Sequence, residues 1–219
     1  MLLLVIASVL MAGLLYWLLP HYVLSFYRRY RGDPYWQVVR PYKKRYAVYW
    51  VPLLFLASTV PLLSATQWPF FYLFFSAILL SLAWLDLKLR VLPDVILLLF
   101  ALLGLAYSYV VEESIILWRL LMVLLCVGCA KIVQVVSSSF AKRRCGSSLG
   151  AGDIKFMAAS ACWFEIMACL YLVALACVIA LVAIFFQTLL FKRRVDTIAF
   201  GPYLSLAAYF VWWWGSLYS

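Results

Sequence analysis

Gly150-Ala151-Gly152-Asp153-Ile154-Lys155 sets a carboxylate and an ammonium inside a sequence that is otherwise almost continuously apolar. Ionisable side chains in membrane segments are costly to insert and mark functional sites by default. Asp153 is therefore the first candidate for chemistry. Gly150 and Gly152 carry no Cβ, so the backbone ahead of Asp153 can take turn conformations closed to other residues or lie close to a substrate main chain. The apolar run that follows, ending around Glu165, reads as a short membrane helix.

The rest of the chain has the same character. Of its 219 residues 68% are hydrophobic and 12% charged, and the mean hydropathy is +1.05, beyond what a soluble domain exposes to water. These values describe an all-α polytopic membrane protein. Leu2 to Leu19 lacks a basic leader region and a small-residue cleavage site, so it reads as a retained helix. The net charge of +10 belongs to loops facing anionic lipid and not to a nucleic-acid surface, since no soluble stretch is left to bind one.

About eight transmembrane helices are expected: Leu2–Tyr22, Ala47–Ser64, Phe70–Leu85, Asp94–Val111, Ile115–Val136, Gly150–Glu165, from there to Phe191, and Ile198–Leu217. Arg28, Arg29, Arg31, Arg40, Lys43, Lys44 and Arg45 mark the first loop, 28–46, as cytoplasmic. This alternation leaves only Arg119 and Lys131 of the 18 basic residues away from inside loops, and it places the N-terminus in the periplasm. One membrane-embedded domain, 1–219, accommodates everything. Trp212, Trp213 and Trp214 suit an interfacial aromatic belt, with a substrate lining as the other reading.

Asp86 to Asp94, the stretch DLKLRVLPD, falls on the same face as Asp153. Two carboxylates held together do not both ionise easily; one keeps a proton as acid while the other activates water for attack on a peptide carbonyl. The rival chemistries lack parts. His21, the single histidine, stands at a helix end without a motif and reads as interfacial, leaving Ser-His, Cys-His and His-metal schemes without a base. Cys126 and Cys129 have CxxC spacing but no second pair, so the six cysteines read as packing residues.

Three ordered blocks carry a resemblance: Leu85-Asp86 through Leu92-Pro93-Asp94, Gly150 to Lys155, and Phe200-Gly201-Pro202-Tyr203-Leu204. They resemble the type IV prepilin peptidases, the bacterial members of the GxGD intramembrane aspartyl proteases. The resemblance runs from about Phe70 to the C-terminus. It implies an active site at the cytoplasmic face of the bacterial inner membrane, with Asp86 and Asp153 as the catalytic pair and Asp94 as an accessory residue. It implies type IV prepilins or pilin-like proteins as substrates, each with a short basic leader before an apolar helix.

Other readings stand beside these roles. Asp94 follows Pro93 and suits a helix N-cap; Asp86 has Lys88 and Arg90 within reach as ion-pair partners. Lys155 either holds Asp153 ionised or snorkels to headgroups. Gly201 and Pro202 shape the start of the last helix. From other functional classes, a proton-coupled transporter predicts charges deep in the spans and a broken-helix repeat, whereas the charges here stand at helix ends and no repeat is found; a noncatalytic pilus-assembly component is the further alternative.

The departure from the resembled family lies before Phe70. Longer members carry paired CxxC motifs in the first cytoplasmic loop, which go with zinc and with methylation of the cleaved pilin by S-adenosylmethionine. Loop 28–46 has no cysteine. Peptidase action needs no cofactor; S-adenosylmethionine as a cosubstrate stays an open expectation.

Overall fold

The computed structural model describes residues 2–30, 51, 55–57, 68–111, 116–141, 150–191 and 199–218. All described regular structure is helical, with no strand among the described residues. The chain divides into two compact units, Met1–Arg90 and Val91–Ser219.

The first unit pairs α1, Leu2–Tyr30, with α2, Pro69–Leu89. Ala12, Leu15, Leu19 and Val23 recur at helical spacing on the buried stripe of α1. The helix continues eight residues past its expected end at Tyr22, through Pro20 and into the basic segment. Arg28 and Arg29 occupy its last turn, where cations favour the negative end of the helix dipole. The remainder of the basic loop, 31–46, lies outside the described residues. So does most of the helix expected over Ala47–Ser64, of which 51 and 55–57 are helical.

Pro69 opens α2 at its first turn, where a missing N–H costs no intrahelical bond. The helix extends four residues beyond Leu85, so Asp86 stands inside its last turn and not after it. Arg90 ends the helix in the left-handed conformation, φ 53°, and its backbone N–H donates to the Asp86 carbonyl at 2.8 Å. The left-handed region costs a non-glycine residue about 1 kcal/mol, which the closing bond offsets. Buried serines on α2 return their hydroxyls to their own helix: Ser76 to the Tyr72 carbonyl and Ser81 to that of Ala77, both at 2.7 Å. No donor is left facing lipid at those positions.

The second unit holds α3 (Asp94–Val111), α4 (Ile116–Ala141), α5 (Ala151–Ser160), α6 (Ile166–Phe191) and α7 (Gly201–Tyr218). The shortest of them, α5, packs against each of the other four. Ten residues rise about 15 Å, roughly half the hydrocarbon thickness of a bilayer. The span expected over Gly150–Glu165 is thus a short helix followed by the turn 161–165. Residues 161–164 of that turn are buried, Glu165 is exposed, and Trp163 is its anchor. Its indole N–H donates to the Phe100 carbonyl of α3 at 2.8 Å, and its ring stacks on Phe100 and Tyr107 at 5.4 and 5.6 Å between centroids. Trp212 of α7 meets Trp163 edge-on at 5.4 Å. Trp212 therefore belongs to the core, and neither the aromatic belt nor a substrate lining describes it; Trp213 and Trp214 are exposed.

Four described helices are long and apolar enough to cross a membrane: Leu3–Phe26, Pro69–Leu89, Ile116–Val136 and Ile166–Leu190; Asp94–Val110 is a shorter apolar helix. Much of α4 and α6 exposes leucine, valine and phenylalanine, a surface that suits lipid tails and not water. Arg119, one of the two basic residues outside the charge alternation, is 3% exposed within α4.

Gly104 makes the aromatic core possible. A Cβ there would stand 2.6 Å from Trp163 Cδ1, a rigid ring atom. Gly104→Ala should lower stability by about 1–3 kcal/mol through overpacking. Gly128→Ala, at a site on α4 with nothing within 4 Å, should instead be neutral or gain up to about 1 kcal/mol from helix propensity. Thermal melts in one detergent, read by loss of helical circular dichroism, check the contrast.

Candidate active site

The GAGDIK stretch folds as the N-terminus of α5. Gly150 is the N-cap, with extended backbone at φ −67° and ψ 145°, and its carbonyl accepts from the N–H groups of Asp153 at 3.1 Å and Ile154 at 3.3 Å. Asp153 stands in the first turn, where unpaired backbone N–H groups and the helix dipole favour negative charge. Its carboxylate folds back over the cap: a Cβ on Gly150 would lie 3.1 Å from Asp153 Oδ2. Gly152 lies within the helix, and a Cβ on it would press on Leu92 at 3.3 Å. No described glycine has a positive φ. The motif's glycines serve close approach here, one to the carboxylate and one to the Leu92-Pro93 segment, and not a left-handed turn.

Asp94 heads α3. The Pro93 carbonyl accepts from Ile96 and Leu97 at 3.1 Å, so Pro93 holds the cap position and Asp94 is the first helical residue. The Asp94 carboxylate instead takes the Lys155 ammonium at 2.6 Å, an ion pair across 61 residues of sequence. Neither the N-cap reading of Asp94 nor the snorkelling of Lys155 anticipates this contact. The pair borders an apolar pocket of about 420 Å³ that runs between α3 and α5 past Leu97, Ala101 and Ala158 to Cys162.

Asp86, in the first unit, is 6% exposed in the last turn of α2, at the negative end of that helix. Asp153, in the second unit, is half-buried at a positive helix end. At the C-terminal block, Phe200 caps α7: its carbonyl accepts from Tyr203 and Leu204 at 3.1 Å. Gly201 and Pro202 are the first two helical residues, as expected of residues that shape the helix start. His21 is exposed on α1 against Trp17, ring centroids 5.0 Å apart.

Residues 73–185 match the model of the type IV leader peptidase family, just over half of the chain, with Asp86, Asp94 and the whole of GAGDIK inside the matched range. The chain belongs to that family. It is a membrane peptidase, and the resemblance carried by its ordered motifs is borne out. Comparison with curated proteins and with solved structures found no match.

Motif reading misses the residues that hold the peptidase's α5 in place. Ser108 donates from α3 to the Cys162 carbonyl at 3.0 Å, and Trp163 and Gly104 fix the turn beyond it. An isolated glycine in an otherwise apolar helical run, such as Gly104, signals close packing. The serine gives no comparable signal.

The ion pair is open to solvent, with Lys155 54% and Asp94 70% exposed. Exposed pairs contribute about 0–1 kcal/mol. A double-mutant cycle of Asp94→Asn and Lys155→Met should therefore return a coupling energy below about 1 kcal/mol in detergent melts. Gly150→Ala should leave the melting temperature within a degree or two of wild type, by the same small-effect argument for surface positions. The added methyl group should press on Asp153 Oδ2 and shift that carboxylate by a few tenths of an ångström.

Proposed function

We propose that this peptidase is an aspartic endopeptidase that removes the short basic leader from type IV prepilins or pilin-like proteins, with Asp86 and Asp153 as its catalytic pair. The observation that carries the proposal is the family match that spans both carboxylates, each at a helix end. The two helix ends differ in sign, and this supports a division of roles. Asp153, at the positive end of α5, is suited to the ionised form that takes a proton from water. Asp86, buried at the negative end of α2, is suited to holding the proton that the scissile carbonyl oxygen receives.

In the proposed reaction, water adds to the peptide carbonyl carbon as Asp153 accepts its proton and Asp86 protonates the carbonyl oxygen. The tetrahedral diol then breaks down: Asp153 gives its proton to the leaving nitrogen, the C–N bond breaks, and Asp86 takes a proton back from a diol hydroxyl, which restores both carboxylates to their starting forms. No acyl-enzyme forms. Asp94 and Lys155 act as accessory residues: by pairing with each other they hold the starts of α3 and α5 in register beside Leu92 and Gly152. Gly201 and Pro202 set the start of α7, which packs on α5.

The proposal places the site at the cytoplasmic face of a bacterial inner membrane, with an eight-span chain acting as one peptidase domain and its N-terminus outside. The basic run that ends α1 and continues through Arg45 supports that orientation, since cytoplasmic loops concentrate Lys and Arg. The zinc set of the longer members does not fit this chain, because loop 28–46 offers no thiolate. No step here uses zinc or S-adenosylmethionine.

Asp86→Asn and Asp153→Asn should each abolish leader removal in cells co-expressing a prepilin, scored as the leader-sized mobility shift, while the variant stays in the membrane at wild-type level. Asp94→Asn should retain most activity. Full processing by either of the first two variants would remove the pair from catalysis. Cleavage by the purified peptidase should also persist under strong chelation, and the processed pilin should show no added methyl mass by mass spectrometry unless S-adenosylmethionine is supplied. Metal-dependent loss of cleavage would contradict the two-carboxylate scheme.

A further inference from the structure

Beyond peptide cleavage, the second unit sets an ion pair at the mouth of an apolar groove, a combination that the catalytic scheme does not use. Lys155 Nζ donates to Asp94 Oδ1 at 2.6 Å, and both side chains are exposed. An ammonium has three donors and a carboxylate two oxygens. Among the described residues neither group makes another polar contact, so one carboxylate oxygen and two ammonium N–H groups remain for a ligand. Below the pair lies the groove of about 420 Å³, walled by Leu97 of α3, Val123 of α4 and Ala158 of α5 and reaching Cys162. Leu98 on its rim is exposed, so the groove opens sideways onto the apolar surface that lipid covers.

Its size and charge select an occupant. From Asp94 to Ala101 the helix rises about 10 Å, and 420 Å³ over that length is a mean section of about 40 Å². A peptide helix, about 10–12 Å across with its side chains, needs roughly twice that section. Hydrocarbon chains, one methylene wide, fit. At the mouth, α3 and α5 both begin, and helix N-termini favour phosphate. A purely anionic headgroup beside Lys155 would also meet the like charge of Asp94. A zwitterion does not: Lys155, lipid phosphate, headgroup ammonium and Asp94 alternate in sign around a ring. A primary ammonium also donates charge-assisted hydrogen bonds to Asp94, whereas a trimethylated one has no N–H to give.

We propose that this groove binds one diacyl phospholipid with a zwitterionic, primary-ammonium headgroup. The lipid phosphate accepts from Lys155, the headgroup ammonium donates to Asp94, and the acyl chains run past Ala101 and Ala158 toward Cys162. The bound lipid packs on the same two helix starts that the ion pair joins. It is a site distinct from the carboxylate pair and does not rest on the cleavage reaction.

The test uses the full-length protein with phosphatidylethanolamine, phosphatidylcholine and phosphatidylglycerol of identical acyl chains. Native mass spectrometry should retain one phosphatidylethanolamine per chain at about fivefold higher occupancy than either of the others. Lys155→Gln and Asp94→Asn should each remove most of that preference. In proteoliposomes, phosphatidylethanolamine carrying a diazirine in its acyl chain should label residues 97–101 and 158–162 about fivefold more than phosphatidylcholine with the same chain, while Leu181 and Phe185 on the outer face of α6 label equally with both. The wild-type labelling decides the question even if the variants do not accumulate. Equal retention of the three lipids, equal labelling of the groove by both probes, or an undiminished preference in Asp94→Asn would overturn the proposal. So would loss of the groove label on adding the apolar segment of a prepilin, which would assign the groove to substrate. None of these readouts depends on peptidase activity.

Discussion

The second unit depends on how one short helix ends. α5 stops after ten residues among buried side chains, so the carbonyls of its last turn must find donors where water is scarce. The turn supplies most of them: Ala161 donates to Met157, Cys162 to Ala159, and Trp163 and Phe164 to Ser160, at 2.9 to 3.2 Å. Ser108 satisfies the Cys162 carbonyl, and Trp163 fixes the turn to α3. With its C-terminus held this way, α5 presents its N-terminus, and so Asp153, at a fixed place.

This arrangement explains why chemistry and packing divide along α5. Its first turn carries the polar residues: Asp153 folded over Gly150, and Lys155 paired with Asp94. Its last turn and the residues after it carry the aromatic core formed with Phe100, Tyr107 and Trp212. A helix long enough to cross the bilayer would bury one end's function under a second interface. A half-length helix needs only one buried end, and the aromatic stack contributes the apolar burial that offsets the cost of stopping there.

The sequence disclosed the site better than its surroundings. Asp86, Asp94 and Asp153 stand out because carboxylates are rare in a chain with 68% hydrophobic residues, and their motifs are local. The helical class and most helix positions were legible for the same reason, since apolar runs and charged loops alternate. What escaped was non-local. The Lys155–Asp94 pair joins residues 61 apart, and the core position of Trp212 depends on Trp163, so no window of sequence contains either contact. Helix ends shifted where the deciding term was a cap: Arg90 extends α2 so that Asp86 falls within it, and basic residues carry α1 on to Tyr30.

The central claim is that two carboxylates hydrolyse the peptide bond through water, with no covalent intermediate. Leader cleavage by the purified peptidase in heavy-oxygen water, with hydroxylamine present, tests it most directly. The account predicts one heavy oxygen in the new leader carboxylate and no hydroxamate. A leader released as its hydroxamate would reveal an acyl-enzyme and contradict the account.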